Sequence, residues 1–243
     1  MIRTYREIAN TWYYLAHSIN FLLGIRNEIE KSTDVKSKCD RRAINLLLVF
    51  NTAALIEGSI SSVLIQHISL GESYKRANNE SDTALRKILD NLMDRVNQSQ
   101  WRDLCQNTMM LTDIDLKKTF AGNWEIIESH FKFRNLIAHG GIIITGIDLL
   151  SDKNDIREIN NEERIDKHNY ESLFNFLVKY SLIEKKNKNK LIDWEFLKSE
   201  IADFFIENSI ILIKNFYNEY DEKYPDKKFI SNNLKVINKI RSC

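Results

Sequence analysis

The sequence predicts an all-α protein, a helical bundle with one short β-hairpin inserted late in the chain. Three observations carry this. Seven glycines and one proline in 243 residues are far below the roughly 12% that ordinary chains spend on the pair, and strands need the turns those residues provide. An all-β fold and a repeated βαβ fold are thereby excluded. Apolar residues recur at spacings of three and four in most segments, the signature of helices with one buried face. Hydrophobic residues make up 43% of the chain, enough for a sizeable core, which excludes global disorder.

The first helix is expected over Ile2–Glu30, where Tyr5, Ile8, Trp12, Leu15, Ile19 and Leu22 form one stripe. The polar run Lys31–Asp40 ends it. The next helix spans Arg41–Leu70. Between Ala43 and Gly71 its only formal charge is Glu57, so it belongs in the middle of a bundle. It is not a membrane span, because Asn45, Asn51, Glu57, Ser59, Ser61, Ser62 and Gln66 interrupt every run of about 18 residues. A third helix is expected from an N-cap at Ser81 to Val96. Ser99–Thr119 reads as irregular, with one short helix at Trp101–Cys105. A fourth helix, Asn123–His139, starts on a capping asparagine and stops at Gly140-Gly141.

Ile142–Ile147 is β-branched and reads as a strand, with Arg157–Ile165 as its hairpin partner. A helix over Asn169–Leu182, a solvated loop at Glu184–Lys190 and a long helix over Ile192–Tyr220 follow. The tail from Lys227 to Cys243 carries five basic residues and no acidic ones. No repeat and no linker separates these parts. They read as one domain, residues 1–243: a core bundle at 1–141, an inserted hairpin and helix at 142–190, and a last helix with its basic tail at 191–243.

Charge restricts function. With 35 basic and 34 acidic residues, the chain cannot coat nucleic acid by bulk attraction, so any contact with it must be local. Three scattered cysteines, Cys39, Cys105 and Cys243, form no disulfide framework and no metal pair. The N-terminus lacks a signal-peptide run, and a reducing cytoplasm is expected.

The fourth helix carries the chemistry. Trp124, Ile127, Phe131 and Ala138 form one apolar stripe, with Arg134, Asn135 and His139 within or beside it. Ile126, Phe133 and Ile137 form a second stripe on the opposite side. Two apolar sides call for two packing partners, one of them a second subunit, and would place the polar trio at a covered surface. Covering Arg and His without partners is costly, and an anionic ligand would offset that cost. Arginine offers a planar fork to phosphate oxygens. Histidine exchanges a proton near neutral pH. Asn135 lies on the same face as His139 and can orient the ring or bond a phosphate oxygen. No nucleophile stands nearby in sequence and no metal-ligand spacing occurs among His17, His67, His130, His139 and His168. The substrate must then bring its own nucleophile, as RNA does with its 2′-hydroxyl.

Arg134-Asn135-Leu136-Ile137-Ala138-His139, closing a helix before Gly140, resembles the Arg, polar residue, three residues, His signature of the HEPN superfamily. The apolar helix with the internal acid Glu57 before it, and the strand-like insert and long helix after it, extend the resemblance loosely over the chain. The resemblance implies a HEPN-like up-down bundle and a homodimer whose paired motif helices build a joint cleft. It implies a metal-independent endoribonuclease without cofactor, with Arg134 clamping phosphate, His139 as general acid/base and Asn135 as positioner. RNA would be the substrate, and a toxin or antiviral defence role the setting, with an antitoxin or other neutralising protein as partner and no membrane. Where family toxins are modified on a tyrosine two residues after the histidine, this chain has Gly141. The alternative is a HEPN-like dimer that binds RNA, a nucleotide or a protein without cutting. Two supporting residues are considered. Glu57 reads as a buried acid tied to Arg134 before a catalytic base. His130, one turn before Arg134, reads as a rim or core histidine before a member of the site.

Overall fold

The structure is a computed structural model that describes residues 11–31, 34–138, 167–184, 197–226 and 230–240. These residues are overwhelmingly helical, and none of them is in a strand. The all-α class is thus observed. The expected hairpin, 142–147 with 157–165, lies outside the described residues.

The helices are α1 (Thr11–Ile29), α2 (Val35–Ser69), α3 (Glu72–Asn79), α4 (Thr83–Asn97), α5 (Trp101–Thr112), α6 (Leu116–Thr119), α7 (Trp124–Ala138), α8 (Lys167–Lys179), α9 (Ser199–Lys223) and α10 (Ile230–Asn238). Several depart from expectation for local reasons. α2 starts six residues before Arg41, because Asp34 caps it. The Asp34 carboxylate accepts from the Ser37 amide at 2.9 Å and from the Ser37 hydroxyl at 2.6 Å, satisfying a donor the first turn leaves open. The cap of α4 is Asp82, not Ser81. Asp82 accepts from Leu85 N at 2.9 Å, while Ser81 has the left-handed φ of 55°. α3 occupies a stretch without a prior assignment. The short helix expected at Trp101–Cys105 is longer: it is α5, which runs on to Thr112, where buried Thr108 and Thr112 return their hydroxyls to the carbonyls of Leu104 and Thr108 at 2.7 and 2.6 Å. Those bonds let polar residues sit on a buried helical face.

α2 is long and apolar enough to cross a membrane by length and composition, yet 72% of its most apolar window is buried within the chain. Its hydrophobicity is used in packing.

The chain divides into two compact units. One comprises Met1–Phe21, Ala54–Trp124 and Ser209–Cys243; the other comprises Leu22–Ala53 and Glu125–Asn208. Each unit is assembled from segments distant in sequence.

In the first unit, Trp12 packs against Gly58, where a Cβ would stand 3.3 Å from that of Trp12. Glycine thus sets how closely α1 and α2 approach. His67 Nδ1 and the Tyr220 hydroxyl are hydrogen-bonded at 2.8 Å. The Tyr224 hydroxyl donates to Thr112 O at 3.0 Å, and Lys223 Nζ to Asp113 Oδ2 at 2.7 Å, fastening the end of α9 to the end of α5. Tyr217, Ser59 and Asn233 are buried, and Tyr217 Oη, Ser59 Oγ and Asn233 Nδ2 each lack a hydrogen-bond partner. Burial pushes the Tyr217 phenol pKa up, and the neighbouring Ser59 and Asn233 pull it back in part. The three therefore crowd together without completing bonds of good geometry. An unmade buried bond stabilises nothing, and removing its donor is close to neutral. Tyr217→Phe is expected to leave stability unchanged or raise it by up to about 1 kcal/mol in urea denaturation; a loss beyond that would show that the hydroxyl is bonded in solution.

In the second unit, an aromatic cluster fills the core. Phe205 stacks on His130 (4.6 Å) and Phe176 (6.1 Å) and lies 5.9 Å from Phe133. α7 and α8 run antiparallel, joined by the Lys179–Glu125 ion pair at one end and by Lys132 Nζ donating to Ser172 Oγ at 3.0 Å further along. A buried arginine completes the unit. Arg26 is 6% exposed. Its Nη2 donates to Asp203 Oδ1 at 2.8 Å and its Nη1 to Asn45 Oδ1 at 3.2 Å. Asn45 Nδ2 in turn donates to Leu197 O at 2.8 Å, so α1, α2 and α9 are tied through polar groups inside the core.

Candidate functional site

The site expected from the sequence lies on α7. Ile126, Ile127, Ser129, His130, Phe131, Phe133 and Leu136 are buried. Glu125, Glu128, Asn135 and Ala138 are exposed, and Arg134 is half-buried. Both expected apolar stripes exist, but the single chain already covers them. Ile127 and Phe131 on one side, and Ile126 and Phe133 on the other, are all at most 5% exposed, while Trp124 stacks on Trp101 at 5.6 Å. The two-sided apolar pattern therefore gives no reason for a second subunit. Only Ala138 and half of Ile137 remain open at the end of the helix. Within the single chain Asn135 faces solvent.

Arg134 is held from two directions. Its guanidinium carbon lies 5.0 Å from the centre of the Phe131 ring, a cation–π distance. Its Nε and Nη2 both donate to Asn135 Oδ1, at 3.2 and 3.1 Å. The helix explains both contacts. Phe131 is three residues back, on the same side, and Asn135 is adjacent in sequence. Asn135 Oδ1 thus orients the arginine. His139 lies outside the described residues, so Arg134 and Asn135 are the members of the trio that the structure places together.

His130 is a core residue. It is fully buried, its Nε2–H donates to Val49 O at 2.9 Å, and its ring stacks on Phe205. Burial pushes its pKa down to about 4; the bond to Val49 opposes the shift, and the Arg134 cation adds to it. It is neutral at physiological pH. Because the folded pKa lies below the unfolded value of 6.5, the unfolded chain takes up the proton first. Stability from this group is full above pH 6.5 and is lost as pH falls to about 4, by about 3 kcal/mol in all. Urea denaturation between pH 7 and 4 should show this loss in the parent and a smaller one in His130→Gln; identical profiles would mean that His130 is hydrated in solution.

Glu57 is half-buried in the first unit, so solvent shares in stabilising its charge; it is not the sealed acid expected from its apolar surroundings.

Sequence reasoning missed Arg26 and its partner Asp203. The signal was present: Arg26 continues the buried positions Trp12, Ile19 and Leu23 at helical spacing, and a charge on a core stripe demands a partner. It also passed over Lys36 and Lys38, which were read as part of a polar break, and Arg41 and Arg42 at the expected start of the next helix. Among the described residues no three His, Cys, Asp or Glu side chains are grouped to hold a metal ion. A shallow groove along α3 is lined by Glu72, Ser73, Lys75, Arg76, Asn79 and Glu80; its charges pair along the helix, as Lys75 does with Glu72 at 2.8 Å. Comparison of the chain with protein-family models, curated proteins and solved structures finds no match.

Proposed function

We propose that the chain is a HEPN-like, metal-independent endoribonuclease acting as a homodimer in toxin–antitoxin or antiviral defence. The observation that carries this is the preset guanidinium of Arg134, fixed by the Phe131 ring and by Asn135 Oδ1 near the end of α7, five residues before His139 in sequence. Such a fork is arranged before a phosphate arrives, so little reorganisation opposes binding. In the reaction, the RNA 2′-hydroxyl attacks the adjacent phosphorus and the bond to the 5′-oxygen of the next nucleotide breaks. His139 moves the proton, and Arg134 meets the charge that grows on the phosphoryl oxygens. The products are a 2′,3′-cyclic phosphate and a free 5′-hydroxyl. Large exposed apolar side chains support self-association: Tyr14 and Phe21 in the first unit, each 69% exposed, and Leu47 and Phe50 in the second.

A second reading, a dimer that binds RNA, a nucleotide or a protein without cutting, is favoured by the near-neutral net charge of +1. The test is incubation of labelled RNA with purified protein in EDTA, with light scattering to give the mass in solution. Cleavage leaving a cyclic phosphate, from a species of twice the chain mass, supports the nuclease. No cleavage of any RNA supports the binding dimer.

A further inference from the structure

The first two turns of α2 concentrate positive charge in the second unit. Lys36 and Lys38 are exposed, and Arg41 and Arg42 are half-buried. Lys38, Arg41 and Arg42 share one face at spacings of three and four. Two acids are interleaved with them. Asp34 is engaged by its cap bonds to Ser37, and Asp40 is exposed beside the basic face. Of the acids on neighbouring helices, Asp203 is bonded to Arg26 and Glu30 accepts from Ser199 Oγ at 3.0 Å. Arg42 has its pKa lowered by burial first and by the Arg41 cation as well, with Cys39 opposing. The Arg41 Nε is buried without a hydrogen-bond partner. Three cations on one helix face favour an anion that lies across them.

Arg134 and Asn135 belong to the same unit as this basic face, and α7 meets α2 in that unit where His130 Nε2 donates to Val49 O at 2.9 Å.

We propose that Lys38, Arg41 and Arg42 form a phosphodiester-binding surface that holds an RNA strand on the unit that also carries Arg134. This rests on the nuclease reading for what happens next, but not for the binding itself. It also supplies the local charge that a chain of net charge +1 needs to hold a polyanion. Binding of this kind is ionic and releases counterions from the strand.

The experiment uses the full chain and a fluorescein-labelled 2′-O-methyl RNA, which cannot be cut, with anisotropy read at several salt concentrations. The parent should bind, and its affinity should fall as salt rises. Arg41→Gln with Arg42→Gln should weaken binding at least about tenfold and make the log–log salt slope shallower by about 1.4, since each lost contact to a single strand removes about 0.7. Arg41→Lys with Arg42→Lys should retain most of the binding. The exposed Lys38→Ala, which leaves the core untouched, should lower the slope by about 0.7 and serves if the double variant fails to fold by circular dichroism. No binding by the parent, or equal binding and slope in parent and both neutralised variants, would overturn the surface. So would an Arg41/Arg42 dependence seen on anionic vesicles and absent on RNA. Cleavage of unmodified RNA separates the two ideas. RNA bound through Arg41 and Arg42 but never cut keeps the surface and removes the nuclease; RNA cut equally by parent and double variant, with unchanged binding, does the reverse.

Discussion

His139→Ala is expected to lower RNA cleavage by about 10²–10⁴-fold, the usual worth of general acid–base catalysis, with fold and assembly unchanged. Arg134→Lys is expected to cost a comparable factor although it keeps the charge. Lysine has no planar fork, so it cannot bridge two phosphoryl oxygens or repeat the paired bonds that Nε and Nη2 make to Asn135. The arginine is half-buried and the core faces of α7 lie elsewhere, so Arg134→Lys should not unfold the chain. The measurement is cleavage of end-labelled RNA by the parent and both variants, all in EDTA. Equal cutting by all three would identify a contaminating nuclease. Cutting only with added Mg²⁺ would show that the chemistry does not reside in this motif.

The second large effect concerns stability. Asp203→Ala should destabilise the fold by roughly 3 kcal/mol. Removing one member of a buried ion pair costs about 3–5 kcal/mol because a charge is left without compensation. The lower end applies here, since the Asp203 side chain is one-third exposed while that of Arg26 is 7% exposed. Glu30, 3.9 Å from Arg26 Nε, offers partial replacement. Arg26→Met combined with Asp203→Leu should recover most of the loss, because apolar groups of similar size substitute well for a buried pair. Urea denaturation of the parent, the single and the double variant decides. A single variant as stable as the parent would show that the arginine is hydrated in solution; a double variant as unstable as the single would show that packing, not charge, is at stake.

Composition alone was enough for the fold class. With so few glycines and prolines, there was little to turn a chain except the caps of helices, and the described residues are helical accordingly. α7 was legible to within about a residue at either end of its described span, because its apolar spacing is strong and short-range. Arg134 and Asn135 were legible as polar neighbours at the end of this helix, but the bonds between them were not. Local capping was less so: Asp34 starts α2 within a run that charge content marked as a break, and a single side-chain bond decided it.

Other features depended on which distant segments meet. Periodicity shows that a helix face is apolar but not what covers it, and both apolar sides of α7 proved to be covered within one chain. His130 and Arg26 illustrate the same point from opposite directions. A histidine one turn before Arg134 became a neutral core residue because Val49 and Phe205 pack against it. An arginine near the end of a surface-length helix became a buried charge because Asp203, 177 positions away in sequence, arrives to bond it. Burial of a charge or a polar ring is decided by the partner that offsets desolvation, and that partner is brought by the fold rather than by the neighbouring sequence.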